Sequence, residues 1–493
     1  MSPESNIPGH DPFKALKLII PKDKTRDALT ISLKAAMATI LILSISLAAF
    51  SAVYSQTQPD FFTWPEPDTD LYTALFDSDD SPTNVSHLAF GIGGSTATWP
   101  KRARYSDLWW EAGATRGYVF LEKDPGGSGS GRPGIGNRVS SEWRRFRRKV
   151  GSEAAVRIAR VGSDLFRVGL PGVRWFVMGD DDTVFFPENL AAVLGRHDHR
   201  RMVYVGGNSE SVEQDVMHGY DMAFGGGGFA VSYPLAAELA AAMDGCLNRY
   251  HYFYGSDQRV WACIGELGVG LTREPGFHQI DIRGDAFGIL AAHPLAPLVS
   301  LHHLDSVNSL FPNQTQLESV STLMKAYKAD PPRILQQCFC YHRKYKWSVS
   351  VSWGYAVQIF PATLTAKELE TPQRTFKTWR SWSDGPFTFN TRPVSSDPCQ
   401  RPVVFFLNSV EEEGTEKTVT TYRKVKPQAV NKCNKDYARA VAIENVVVLA
   451  TKMEQREWDL SPRRQCCDID GNLGHRTMRI RIRRCRHSET ITI

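Results

Sequence analysis

A chain of 493 residues, 42% of them hydrophobic, has room for two or three domains around a sizeable core. Its formal net charge of +5 is mild for that length and gives no case for nucleic acid as the main partner. The nine cysteines include no C-x-x-C pair, which excludes both a small disulfide scaffold and a zinc array, and the odd count leaves at least one thiol unpaired or bonded to another chain.

Residues 1–34 are largely polar and carry Lys14, Lys17, Lys22, Lys24, Arg26 and Lys34. Ala35 to Val53 then runs for 19 residues without a charge. As a helix that run is ~28 Å long, close to a bilayer core of ~30 Å. No Lys or Arg follows until Lys101, whereas Asp60, Glu66, Asp68 and Asp70 lie just beyond it. The positive-inside rule therefore predicts a cytosolic tail over 1–34, an uncleaved signal-anchor over 35–53, and a lumenal remainder in a type II, single-pass arrangement. Residues 54–83, rich in Pro, Asp, Ser and Thr, read as a stem. Two sequons, at Asn84 and Asn313, lie on the side of the anchor where glycosylation occurs.

His87 to Gly91 reads as a strand entering a glycine turn, Gly91-Ile92-Gly93-Gly94, that lets backbone approach a nucleotide. By itself this signal is weak. Pro125 to Gly136 is a low-complexity loop, and Arg144 to Lys149 is a basic run better read as a solvated helix face than as a nuclear signal or an anion site. Ala154 to Leu170 has helical spacing and leads to Val173–Met178, a short apolar run read as a buried strand. That strand ends in Asp180-Asp181-Asp182, and three adjacent carboxylates are best tolerated where a hard cation such as Mg²⁺ or Mn²⁺ neutralises them. Asp180 and Asp182, two apart, point to one side of an extended backbone. The competing reading is a solvated acidic turn.

Met202 to Gly207 reads as another strand, and Gly225-Gly226-Gly227-Gly228 before Phe229-Ala230-Val231 suits a segment passing close to a ligand. Ser256 or Asp257 is expected to cap a helix running through Ile264 and Leu267. Cys246 and Cys263 flank it and are candidates for a disulfide in an oxidising compartment. Of the adjacent His302 and His303, at most one is expected to ligate a metal. From about residue 320 aromatic, alternating segments take over, and 411–493 reads as a small β-rich appendage stapled by Cys433, Cys466, Cys467 and Cys485. Strands alternating with helical stretches predict an α/β domain whose ligands sit at the carboxyl ends of its strands.

Trp175 to Thr183, Gly226 to Phe229, Gly255 to Arg259 and His302 to Asp305, in this order, resemble the Fringe-like β-1,3-glycosyltransferases, in particular their plant Fringe-related branch. The resemblance covers roughly 84–410. It implies a GT-A fold with a central mixed, mostly parallel sheet over 84–320, a family-specific extension over 321–410, and a Golgi hexosyltransferase using a UDP-sugar donor. It further implies Mn²⁺ or Mg²⁺ held by Asp180, Asp182 and His303, with His302 as the alternate and His278 and His293 as rivals. The donor would lie against Gly91, Gly93, Gly94, Asp180, Asp181, Gly227 and Gly228, and Asp257 would be the catalytic base.

The chemistry suits those residues. Departure of UDP from an anomeric carbon builds charge that a Lewis acid stabilises, and inversion in one displacement needs a single carboxylate to deprotonate the acceptor hydroxyl of a glycan or glycoconjugate. Two other readings stand beside it: a catalytically silent, lectin-like or scaffold relative, and a membrane-anchored structural protein whose acidic turn is a surface feature.

Overall fold

The computed structural model describes residues 26–57, 81–125, 134–146, 150–424, 433–459, 462–470 and 476–491. Most of the expected cytosolic tail and stem lies outside these, as do the centre of the low-complexity loop and the end of the Arg144–Lys149 run. The chain divides into two compact units, Met1–Asp77 and Ser78–Ile493.

In the first unit α1 (Arg26–Thr57) is a single helix, and its span Ser32–Ser51 has mean hydropathy 2.0 with none of it buried. By length and composition that is one helix able to cross a bilayer.

The second unit is mixed α/β. Its central sheet comprises β1 (Leu88–Gly93), β2 (Gly117–Leu121), β3 (Gly136–Val139), β4 (Trp175–Asp180), β6 (Tyr204–Gly206), β7 (Phe229–Ser232) and β8 (Leu271–Arg273), in the order β3-β2-β1-β4-β7-β6-β8. The pairs β1/β2, β1/β4, β2/β3 and β6/β8 are parallel, and only β7 runs against its neighbours. The apolar run that becomes β4 is buried on both faces: Trp175 and Val177 enter one core cluster, Phe176 and Met178 the other. Its carboxyl end, the end of β1 and the end of β6 therefore share one edge of the sheet. Helices α3 (Glu153–Ala159) and α4 (Val161–Phe166) cover the face under β1, while α2 (Trp99–Trp109) follows β1 directly.

Gly91 and Gly93 lie within β1, Gly94 N–H still donates to Phe120 O of β2, and the turn begins at Ser95, after the glycines. Helix packing is the physical reason for the first two glycines. A Cβ on Gly91 would meet Val161 at 2.8 Å and one on Gly93 would meet Ile158 at 3.1 Å.

A small sheet of β5 (Val184–Phe185), β11 (Ser300–Leu301) and β9 (Phe277–His278) sits just beyond the acidic turn, and β10 (Ile282–Gly284) pairs with β15 (Phe376–Thr378). The remaining strands form one eight-stranded sheet: β12 (Gln337–His342), β13 (Trp347–Ser352), β14 (Ala356–Phe360), β16 (Val403–Glu413), β17 (Lys417–Lys424), β18 (Asn445–Thr451), β20 (Thr477–Arg483) and β19 (Cys466–Ile469), in that order. The boundary expected at 410 falls inside β16, so the extension and the β-rich tail are one structure.

The edge strands β12 and β19 are tied by Cys340–Cys467, with Cα atoms 5.5 Å apart, so the sheet curls until its edges meet. Cys399–Cys433 also joins the extension to the tail, and Cys466–Cys485 closes within the tail. Cys338 is the free thiol, and burial pushes it up to about 12, which makes it inert.

Candidate functional site

The end of β4 turns tightly through Asp180-Asp181-Asp182 because Thr183 closes it. Its N–H donates to Asp180 O at 3.0 Å, while its Oγ1 accepts from Asp180 N–H at 2.8 Å and donates to Gly226 O at 2.7 Å. Those bonds pin the acidic turn to the glycine segment.

His302 follows β11 and reaches this turn. Its Nε2 lies 3.1 Å from Asp182 Oδ1 and 3.9 Å from Asp180 Oδ2, and the ring is 3% exposed. His303, favoured by the resemblance, faces elsewhere: it adopts a left-handed φ of 50°, and its Nδ1–H donates to Asp281 Oδ1 at 2.9 Å. Its ring stacks on that of Trp379, 4.5 Å away, and lies tilted against that of His302, 3.9 Å away. His278 instead pairs with Glu210 at 3.2 Å, and His293 Nδ1–H donates to Pro294 O at 2.8 Å, so neither joins the cluster.

Asp181 turns toward α2. Arg102 Nη1 donates to Asp181 Oδ1 at 2.8 Å, its Nη2 lies 3.0 Å from Asp182 Oδ2, and Thr98 Oγ1 also donates to Asp181. Tyr105 OH donates to Asp305 Oδ1 at 2.6 Å beside the same arginine. Burial raises Asp180 to about 8, reinforced by the charges of Asp182, Asp181 and Asp257. Burial works against ionisation of Asp182 too, but His302 and Arg102 outweigh it and hold that carboxyl down to about 2.

The glycine segment is shaped by what it passes. A Cβ on Gly226 would sit 2.1 Å from His302 Cε1, and one on Gly228, at φ +86°, 2.8 Å from Phe185. Gly227 N–H donates to Gln279 Oε1 at 2.5 Å. Gly94 keeps Val119 and Asp181 close: a Cβ there would meet them at 3.1 and 3.3 Å.

Asp257 lies at the second position of its helix, Ser256–Glu266. The expected cap at Ser256 or Asp257 is instead Gly255, whose N–H donates to Gln258 Oε1 at 3.1 Å. A Cβ at 255 would crowd Asp257 Oδ1 at 2.5 Å, which explains the glycine. The Asp257 carboxylate is oriented by Gln258 N–H at 3.1 Å and Gly225 N–H at 3.3 Å, and burial raises its pKa against those two bonds. Asp180, Gly91, Gly225 and Asp257 line one small cavity of about 20 Å³. The helix is fastened to its neighbour, Tyr233–Arg249, by the Cys246–Cys263 disulfide. Asn84 and Asn313 are both exposed.

The donor types suit a divalent cation: two hard carboxylates and one imidazole nitrogen match Mn²⁺ or Mg²⁺, with His302 Nε2 3.1 Å from Asp182 and 3.9 Å from Asp180, while the three ligand atoms do not all lie within 4.8 Å of one another. Arg102, Thr98, Trp379 and Asp281 carried no sequence signal, because each reaches the turn only through tertiary contacts.

No curated protein matches the chain. Residues 214–467, just over half of it, match a family described as protein of unknown function, DUF604. The match contains the glycine segment, Asp257, His302 and most of the eight-stranded sheet, and leaves the acidic turn outside. On that coverage the chain belongs to the DUF604 family.

Proposed function

We propose that this protein is a Golgi hexosyltransferase of GT-A fold, Fringe-like, moving a sugar with inversion from a UDP-sugar to a hydroxyl of a glycan or glycoconjugate. The observation that carries the reading is a convergence: Asp180 and Asp182 lie within 3.9 Å of His302 Nε2 at the carboxyl end of β4, and Asp257 and Asp180 line the same small cavity. Strand order supports it, since the acidic turn lies at the centre of the sheet, between the glycine-rich end of β1 and the loops after β6 and β8.

Asp180, Asp182 and His302 would hold Mn²⁺ or Mg²⁺, which when bound supplies Lewis-acid stabilisation of the departing diphosphate. Asp257 takes the proton of the acceptor hydroxyl as that oxygen attacks the anomeric carbon. The backbone N–H groups of Gly225 and Gln258 keep its carboxylate aimed through the step. Gly226 and Gly228 admit the histidine and the aromatic wall that a side chain would push away. Arg102 holds Asp181 and part of Asp182, so the turn folds before any ligand arrives.

That same arginine favours the second reading, a glycan-binding relative without transfer, because it neutralises the cluster without a metal. Incubating the full chain with a panel of UDP-sugars and oligosaccharide acceptors, with Mn²⁺ or with chelator, separates the two. The transferase reading expects Mn²⁺-dependent product of inverted anomeric configuration, and a silent relative yields none.

A further inference from the structure

A second cavity, of about 550 Å³, opens beside the acidic cluster at the carboxyl ends of β6 and β8, where the extension closes over the central sheet. Its volume lies within the ~300–1,000 Å³ usual for small-molecule sites. It is walled on one side by the segments after β6 and β8 and on the other by residues 367–372, 388–390 and Arg464.

The wall is balanced in charge: Arg273, Lys367 and Arg464 against Glu210, Glu274 and Glu370. A charged ligand would meet both signs. The rings of Phe277 and Phe389 supply apolar faces, and Asn208 and Asn390 supply amides at the rim. Arg464 Nη1 and His278 Nε2 have no hydrogen-bond partner among the described residues, but both atoms are sealed behind the wall and a ligand meets only the outer parts of those residues. The polar groups within its reach are the rim side chains, Asn390 and the charged residues among them. A ligand carrying donors, acceptors and a flat C–H face answers all of these features together, and that is the surface of a pyranose ring.

One buried polar chain links this cavity to the acidic turn. Glu210 and Ser209 in its wall both bond Asp281, with Ser209 Oγ donating to Asp281 Oδ2 at 2.7 Å and Asp281 N–H donating to Glu210 Oε2 at 3.3 Å. Asp281 accepts from His303 at 2.9 Å, and the His303 ring lies tilted against that of His302. The two sites are therefore joined through Asp281 and the histidine pair.

We infer that this cavity is a subsite for one residue of a neutral glycan. Its assignment to the acceptor rests on the transferase reading above; the binding itself does not. Phe389 is the stacking ring, with the Asn390 amide and the Asn208 carbonyl oxygen at the mouth.

The test is saturation-transfer NMR on the full chain in detergent, without UDP or metal. Lactose, cellobiose and xylobiose serve as neutral probes and glucuronate as the anionic one. At least one disaccharide should give a saturable signal that outcompetes glucuronate. Phe389→Ala, and Thr371→Trp, which fills the cavity from a half-exposed rim position, should each weaken that binding about tenfold, the loss expected of a stacked ring or a blocked pocket. Cooperative melting shows that each variant is folded, and either variant alone decides the matter. Binding that is equal in the folded variants, preference for glucuronate, or no disaccharide binding overturns the subsite. A chain that binds disaccharide but never UDP refutes the transferase reading and keeps the subsite, so the two failures are distinct.

Discussion

Gly226 and His302 are fitted to one another: the imidazole occupies the space of the missing side chain, so a Cβ at 226 would lie 2.1 Å from His302 Cε1. Asp182, Asp180 and the tilted ring of His303 fix that imidazole from the other sides. The glycine segment thus determines where the histidine stands relative to the acidic turn.

Gly226→Ala should therefore displace His302. Its backbone is not in the left-handed region, so the effect is steric, an overpacking cost of ~1–3 kcal/mol. Thermal unfolding should show that loss, and Mn²⁺ should no longer strengthen UDP binding. Parental metal dependence in Gly226→Ala would remove His302 from the donor set.

Asp257→Asn separates folding from proton transfer. Gly255 is the N-cap residue, and Asp257 accepts the Gln258 N–H of the first turn, a bond that an Asn Oδ1 also accepts. Asn keeps one acceptor oxygen and cannot take a proton. UDP–Mn²⁺ binding should stay near parental while transfer falls by ~10² or more, a typical general-base loss. Near-parental transfer would show that another group is the base.

Without metal, stability should depend on pH in a stated direction. Asp180 is raised from 3.8 to about 8, so the folded chain binds this proton more tightly than the unfolded chain. Its contribution is full below about pH 4 and is lost as pH rises toward 8. Asp182, lowered to about 2, acts oppositely and only in acid, losing its contribution as pH falls from about 4 through 2. Metal-free protein should thus melt lower at pH 8 than at pH 5.5, and Asp180→Asn should flatten that slope. Added Mn²⁺ should raise the melting temperature most at pH 8, by preferential binding to the folded state. An unchanged slope in Asp180→Asn would assign the pH dependence to other groups.

Much of the site was legible in the sequence, because its signals are local. An apolar run ending in carboxylates announces a buried strand with a charged tip, and consecutive glycines announce a close approach. The choice between His302 and His303 was not local. It follows from the register that sets Leu301 beside His278 and from the left-handed turn at His303, which swings that ring to Asp281 and Trp379. Arg102, Asp281 and Trp379 were illegible for the same reason, each lying far from the turn in sequence. The tail hid its continuity differently. β16 runs through residue 410 without any break in composition, and Cys340–Cys467 joins strands whose adjacency no local pattern reports.

Topology makes a separate prediction. α1 is exposed and apolar over Ser32–Ser51, its N-terminal flank is basic, and Asn84 and Asn313 are accessible. Endoglycosidase should speed migration of the expressed protein on a gel, and protease added to sealed microsomes should spare residues 84–493. A digested C-terminal unit with a protected N-terminus would reverse the orientation.

The most direct measurement is calorimetric titration of the full chain with UDP, with Mn²⁺ and then with chelator, on the parent and on an Asp180→Ala, Asp182→Ala double variant. The parent should bind UDP tightly only with Mn²⁺, and the double variant should bind equally weakly in both conditions. UDP binding that ignores the metal in the parent, or that keeps its metal dependence in the double variant, would contradict the assignment of this acidic turn as a nucleotide-sugar metal site.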